Sequence, residues 1–376
     1  MFSLHVDTAR TWRGGQNQVL LTVLGLRMRG HRAALVAHPH GELRRRAAEG
    51  PDLFPLAPRT EMAVRAGWQL SRLLRDLRPD IVHAHDAHGV AMTALACSMC
   101  GERFRPLFVA SRRVDFHIGR NAFSRWKYRQ VDRFVCASQF IQSMLIHDGI
   151  PAAKTSVVYE GIDLRRVERA PTIDLRKELW LPRGAPLVGN VAALVPHKGQ
   201  RYLIDAAVRV IREVHDARFI IAGEGELEHD LARHVARCKL GKHIVFAGFR
   251  PDVLSLHKAF DLFVMSSVTE GLGTSALDAM AAGRAVVATR AGGLSEVVDD
   301  GHTGLLVPTR DPPALAAAIV RLLSDETFRQ TCAHNALQQA RRRFSAERMV
   351  DETLATYEQL VGTPPATDTG HPVGAD

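Results

Sequence analysis

The sequence predicts two doubly wound α/β domains in series, facing each other across a cleft. Three observations carry this. Short apolar runs alternate with longer amphipathic stretches along the whole chain. The short runs are apolar on both faces, as strands must be when helices cover both sides of a parallel sheet. The rhythm also restarts midway through 376 residues, too many for one ordinary core and comfortable for two.

In the first half LHVD, RAALVAH, DIVHAH, PLFVAS, DRFVCAS and TSVVYEG read as strands. QNQVLLTVLGLRMRG and AVRAGWQLSRLLRDLR lie between them as helices, with apolar residues at i, i+3 and i+4. The stretch 164–184, LRRVERAPTIDLRKELWLPRG, is polar, basic and Pro-containing, as a linker should be. In the second half APLVGNVAAL, ARFIIAGEG, HIVFAGF, DLFVMSS, RAVVATR and TGLLVPT are strands. QRYLIDAAVRVIREV, ELEHDLARHVARC, TSALDAMAAG and PPALAAAIVRLLSD are helices. This places one domain at 1–165, a linker at 166–184, a second domain at 185–344 and a disordered tail at 363–376.

Composition is that of a soluble globular protein, and no run of 18 apolar residues offers a spanning helix. The start, MFSLHVDTAR, lacks a charged-then-apolar signal pattern and reads as a first strand, which points to the cytoplasm. Five scattered cysteines, an odd number, argue against a disulfide framework. Cys97 and Cys100 form a CxxC with no second pair at metal spacing, so they read as buried helix residues. The net charge of +9 is one-sided. Residues 1–165 hold 24 Lys/Arg against 14 Asp/Glu, and the remainder 25 against 26. A basic first half attracts nucleic acid, anionic lipid or an acidic acceptor, and charge alone does not choose.

Open parallel sheets bind ligands at the C-terminal ends of their strands, and the chemistry-bearing residues fall there. In VTEGLGTSALDAMAAG, Gly271, Gly273, Thr274 and Ser275 present amides at a helix start, where free N–H groups and the dipole favour a phosphate oxygen. Glu270 lies on the strand side of that turn and Asp278 about one turn into the helix. Carboxylates there can hold sugar or ribose hydroxyls, or can serve only nearby amides and solvent. Lys198-Gly199 opens a helix in VPHKGQ, placing a cation for a leaving phosphate or a solvated lysine. The GxG of Gly223 and Gly225 is too short for a dinucleotide fingerprint. Gly14 and Gly15 stand between the first strand and the first helix, where backbone would approach a ligand. DIVHAHDAHG carries His83, His85, Asp86 and His88. With no distant acid fixed nearby, a lone His85 facing the cleft is preferred to a metal cluster. Arg112 and Arg113 follow PLFVAS and suit an anionic acceptor or a donor phosphate.

Together these segments resemble the family 4 retaining glycosyltransferases of the two-domain GT-B fold. The resemblance runs nearly end to end. It includes the glycine pair with the later RGH (Gly14, Gly15, Gly30, His31), PDIVHAH, VYEGID, PHKG, AGEGE, FAGF, EGLGTSALDAMAAG, AGGLSEVVDDGHTGLLV and DPPALAAAI. It implies transfer of a sugar from a nucleotide-sugar held by the second domain to an acceptor held by the first. By similarity Glu270 would contact the transferred sugar, and Gly271, Leu272, Gly273 and Thr274 would offer amides to sugar and diphosphate. Asp278 would hold the ribose, and Lys198 would stabilise the leaving diphosphate. No metal or other cofactor is expected. The implied route is front-face attack, with the departing phosphate helping to deprotonate the acceptor. The helix AERMVDETLATYEQL, within 345–362, would cross back onto the first domain.

Three departures stand out. Asp278 replaces the usual Glu, Ala193 stands where an Arg is common, and Arg112 and Arg113 occupy a zone that often holds a His. One of these arginines is the candidate to replace the missing charge. Nucleotide-base recognition would rest on loops near Phe249 and Arg250. The expected protein is a cytoplasmic enzyme at the inner face of the plasma membrane. Its acceptor would be an envelope glycan, a lipopolysaccharide core or a lipid-linked phosphate, with an anionic membrane surface as partner. A GT-B nucleotide-sugar 2-epimerase is the alternative within enzymes. A basic nucleic-acid-binding protein is the alternative outside them, and it lacks aromatic stacking platforms.

Overall fold

Two parallel sheets carry the molecule, each wound the same way. The computed structural model describes residues 1–48, 50–56, 58, 64–119 and 121–362. The expected tail at 363–376 lies outside the described residues.

The first domain runs β1 (Phe2–Asp7), α1 (Gly14–Met28), β2 (Arg32–Ala37), α2 (Glu42–Arg46), β3 (Asp52–Pro55), α3 (Val64–Leu77), β4 (Ile81–Ala84) and α4 (Ala87–Cys100). It continues through β5 (Leu107–Arg112), α5 (Ala122–Arg129), β6 (Arg133–Cys136), α6 (Gln139–His147) and β7 (Thr155–Val157). The strand order is β3-β2-β1-β4-β5-β6-β7. Order reverses between β1 and β4, so the loops leaving those strands splay apart and open a crevice. β1 is buried throughout, so its alternating Ser3, His5 and Asp7 lie inside the protein and need protein partners. Cys97 and Cys100 are buried in α4, where burial pushes the Cys97 thiol up to about 12.

The polar stretch after β7 folds into two short helices, α7 (Leu164–Arg169) and α8 (Leu175–Glu178), capped by Asp163 and Asp174. The second domain begins with β8 (Leu187–Val191), α9 (Gln200–Glu213), β9 (Arg218–Ala222), α10 (Glu228–Arg237), β10 (Ile244–Gly248) and α11 (Val253–Ala259). It continues with β11 (Leu262–Met265), α12 (Thr274–Ala281), β12 (Ala285–Thr289), α13 (Leu294–Val297), β13 (Gly304–Val307), α14 (Pro312–Ser324) and α15 (Glu326–Arg343). Its order, β10-β9-β8-β11-β12-β13, reverses between β8 and β11.

A last helix, α16 (Ala346–Gly362), packs on α1 of the first domain. The two approach so closely at Gly25 that a Cβ there would lie 2.4 Å from Val350. The chain therefore crosses between domains twice, and the crossings touch. Ile162 N donates to the Phe344 carbonyl at 2.8 Å, and Ala346 N to the Ile162 carbonyl at 2.9 Å. Four apolar clusters cover the two faces of the two sheets, leaving the strand-end loops to face the cleft. Among the described residues no helix is long and apolar enough to cross a membrane.

Candidate active site

β11 ends at Met265, and the loop to α12 forms the floor of the cleft on the second-domain side. Gly273, at φ 100°, turns the chain into α12 and brings no side-chain cap. A side chain there would meet Leu294 at 2.5 Å. The first amides of α12 are consequently left for a ligand. Ser275 is turned away, donating to the Val191 carbonyl at 2.8 Å. Leu272 anchors the loop with its buried side chain.

Lys198 reaches this loop from the other side of the crevice. It ends a single turn at Pro196–Lys198, and Gly199 takes the left-handed conformation that starts α9. A Cβ on Gly199 would lie 2.1 Å from the Ser266 carbonyl, so only glycine allows this approach. Lys198 Nζ lies 2.5 Å from Glu270 Oε2, which also accepts from Ser267 Oγ at 3.1 Å. Their side chains are 17% and 12% exposed. Attraction between unit charges at such a half-wet site is worth about 4 kcal/mol. Desolvating each ion costs several kcal/mol, so the pair is near balance. A diphosphate, with more than one negative charge, can draw Lys198 away and free Glu270 for hydroxyls.

Asp278 lies half-buried beyond that pair. Burial pushes its carboxyl up to about 7, with Arg166 of α7 opposing and Glu160 adding. Gly14 meets Thr274 from the first domain: a Cβ there would lie 2.9 Å from Thr274 Oγ1, so the N-termini of α1 and α12 meet across the cleft. Gly15 has open space around it. Ala193 gives its carbonyl to Gln200 Nε2 at 3.0 Å and brings no charge. Arg250 is already matched by Asp252, at 2.7 and 2.8 Å, and by Glu178, while Phe249 is exposed beside it.

The two arginines separate. Arg112 donates to the Phe116 carbonyl within its own loop. Arg113 turns inward, its Nε 3.2 Å from Glu160 Oε1 and its terminal nitrogens 3.2 and 3.3 Å from His85 Nδ1. His85 does not face the cleft as expected from the strand pattern. It is buried beneath Arg113, on the same face of the strand as His83, against His5.

His85 is one link of a buried chain from Ser3 through His5, His85, Ser111 and His83 to Tyr357, with steps of 2.5 to 3.1 Å. Arg113 can only donate, so His85 Nδ1 accepts and its proton sits on Nε2, directed at His5. His5 therefore donates onward to Ser3. Burial pushes all three rings well below their ordinary range, His5 to about 3, helped by Arg113 and, at His83 and His85, by the neighbouring histidines. All six ring nitrogens have protein partners, and a guanidinium points at His85, so this trio does not suit a cation. His234, Asp205 and Cys238 also lie close together. There His234 is engaged by Asp205 at 2.6 Å and by Arg237 at 3.2 Å. Asp86 is structural, capping α4 and holding Thr8.

Sequence reasoning assigned no role to Glu160. It is buried beside Arg113 and within the field of Lys198 and Glu270; burial raises its carboxyl, Arg113 opposes, and Glu270 adds. Its place just after β7 was the available signal, since strand ends line the cleft.

Two facing doubly wound domains with an anion-seeking helix start in the cleft define a GT-B glycosyltransferase architecture. Residues 12–166 match the family described as Glycosyltransferase Family 4, and residues 185–325 match Glycosyl transferases group 1. The chain belongs to the family 4 glycosyltransferases. It is 35% identical over 239 residues to a D-inositol 3-phosphate glycosyltransferase of Corynebacterium urealyticum, covering 59% of this chain and 55% of the relative. It is 28% identical over 247 residues to a lipopolysaccharide core biosynthesis mannosyltransferase, LpcC, of Rhizobium leguminosarum bv. viciae, covering 64% and 68%. Matches to the nearer curated relatives span 55 to 62% of those relatives' own length. In fold, the chain superposes on Anabaena HepE in complex with UDP-glucose with a TM-score of 0.82 at 23% identity, covering 96% of this chain and 100% of the other.

Proposed function

We propose that the protein is a retaining glycosyltransferase that moves a sugar from a nucleoside-diphosphate sugar to a glycan or glycolipid acceptor. The observation that carries this is the Lys198–Glu270 pair poised at the uncapped start of α12 in the interdomain cleft. In this reading the diphosphate takes the α12 amides and Lys198, Glu270 holds the sugar hydroxyls and Asp278 the ribose. The departing phosphate takes the acceptor proton, so neither a metal nor a covalent nucleophile is required. Arg113 and Glu160 line the acceptor side, and Arg112 lies further out on the same loop. The acceptor is an anionic envelope component, such as a lipopolysaccharide core or a lipid-linked phosphate, met at the inner face of the plasma membrane. The basic first domain and the name of the LpcC relative support that part.

Thermal denaturation with UDP, GDP and ADP tests donor binding. At least one diphosphate should raise Tm, because a ligand of the folded state at about 100 times its Kd adds about 2.7 kcal/mol. Lys198→Met should abolish that rise. A full rise in the variant removes Lys198 from the site.

A further inference from the structure

We propose that Glu296 is a positioning residue. Its carboxylate latches the second domain onto the start of α6 in the first domain, and thereby fixes the peptide that carries Glu270.

Glu296 lies on α13, in the segment AGGLSEVV, half-buried between the domains. Its Oε2 accepts from Gln139 N at 2.8 Å and from Tyr159 Oη at 2.9 Å, and its Oε1 accepts from Phe140 N at 2.8 Å. Gln139 and Phe140 are the first two residues of α6. The next amide, Ile141, is capped by Ser138 Oγ at 3.2 Å. The free amides of the helix start are thus divided between its own cap and a carboxylate from the other domain, which also meets the positive end of the dipole. Burial, then the bond to Glu296, pushes the Tyr159 hydroxyl up to about 12, so it remains a donor at working pH.

The same helix start reaches the donor loop. Ser138 Oγ donates to the Gly271 carbonyl at 2.7 Å. From the other side Gly293 N donates to the Glu270 carbonyl at 3.0 Å, and Glu296 N to the Gly293 carbonyl at 3.0 Å. The bonds close a ring: Glu296 to α6, Ser138 to Gly271, along the chain to Glu270, and back through Gly293. Two carbonyls beside the proposed catalytic carboxylate are therefore gripped from opposite domains. The backbones meet too closely for side chains. A Cβ on Gly271 would lie 2.2 Å from the Arg113 carbonyl, and one on Gly293 would lie 2.1 Å from the Gly271 carbonyl. At Gly292, φ 52°, it would lie 2.9 Å from the Phe140 ring. The donor loop and the domain contact are one structure, so loosening the contact should loosen the loop.

Hydrogen exchange of the free protein tests this without substrate. Glu296→Gln keeps the size but puts an NH2 where two N–H groups and a hydroxyl need acceptors. Exchange should rise about tenfold or more at 139–141 and, in parallel, at Gly293 and at Ala276 and Leu277 in the other domain, whose amides donate to the Glu270 and Gly273 carbonyls. Tyr159→Phe keeps both amide bonds and should raise both regions by about twofold to threefold. It carries the test if Glu296→Gln does not fold. Faster exchange confined to 139–141 would mean a local cap only, and no change would mean no latch; either result overturns the proposal. In turnover, which rests on the transfer reading above, Glu296→Gln should lower kcat about tenfold while donor KM stays within about threefold. An unchanged kcat contradicts positioning. The exchange result decides the latch even if the chain transfers no sugar, and a failed latch leaves the transfer reading intact.

Discussion

Asp278 sits where a longer carboxylate is usual, and its surroundings make the difference measurable. One methylene less shortens its reach by about 1.5 Å. Among the described residues its carboxylate has no hydrogen-bonding side-chain partner, and Arg166 is the cation that offsets its charge. Its carboxyl is therefore raised to about 7 instead of lowered. A raised acid binds its proton more tightly folded than unfolded. Its contribution to stability is full at low pH, declines as pH rises above the ordinary carboxylate range, and is lost once pH passes about 7. Ligand hydroxyls favour the ionised form, so nucleoside diphosphate affinity should climb between about pH 6 and 8 in the wild type. Asp278→Asn should flatten that part of the climb, the nucleotide's own phosphate titration being common to both proteins. Parallel profiles would remove Asp278 from the ribose site. Lys198 and Glu270 stood out in the sequence because each follows a strand beside glycine, and Asp278 because it lies about one turn into the helix after Glu270. Glu160 and Glu296 were not given roles because what defines them is their partners. Glu296 and Phe140 are 156 positions apart, and no local pattern announces that meeting.

Helices and strands differ in how openly the sequence announced them. The strands β1, β2 and β4 to β13 were legible as short apolar or alternating runs set between longer helical stretches. β3 was not: four residues ending in Pro55 at the sheet edge carry too little pattern. α4 was read as a helix only at Cys97 and Cys100, because it is apolar nearly all round and so lacks a stripe at helical spacing. α15 buries only Cys332, Ala336, Gln339 and Ala340 along 18 residues, a stripe too thin to see amid polar neighbours. α6 was hidden by its shortness, although Ser138 before it is a strong N-cap signal. Gly25, mid-helix in α1 where glycine is unfavourable, becomes intelligible only once α16 is seen lying against it.

At the scale of the whole molecule, charge and architecture divide the labour. The second domain offers neutral bulk and a focused anion site, and the first brings a broad excess of positive charge. That excess should draw the protein to vesicles containing phosphatidylglycerol, with release by added salt because exposed charges are screened within about 10 Å at 0.1 M. Equal flotation with neutral phosphatidylcholine vesicles would remove the membrane from the proposal. The two chain crossings at 161–162 and 344–346, bonded to each other, place α16 back on the first domain.

The central claim is that a nucleoside-diphosphate sugar is cleaved at Glu270 and Lys198 with its anomeric configuration kept. Proton NMR during slow hydrolysis of a panel of α-linked UDP- and GDP-sugars, with water as acceptor, tests it most directly. The α-anomer should appear first from one donor, and Glu270→Gln should slow its release about a hundredfold or more. First appearance of the β-anomer, or an unchanged rate in the variant, would contradict the account.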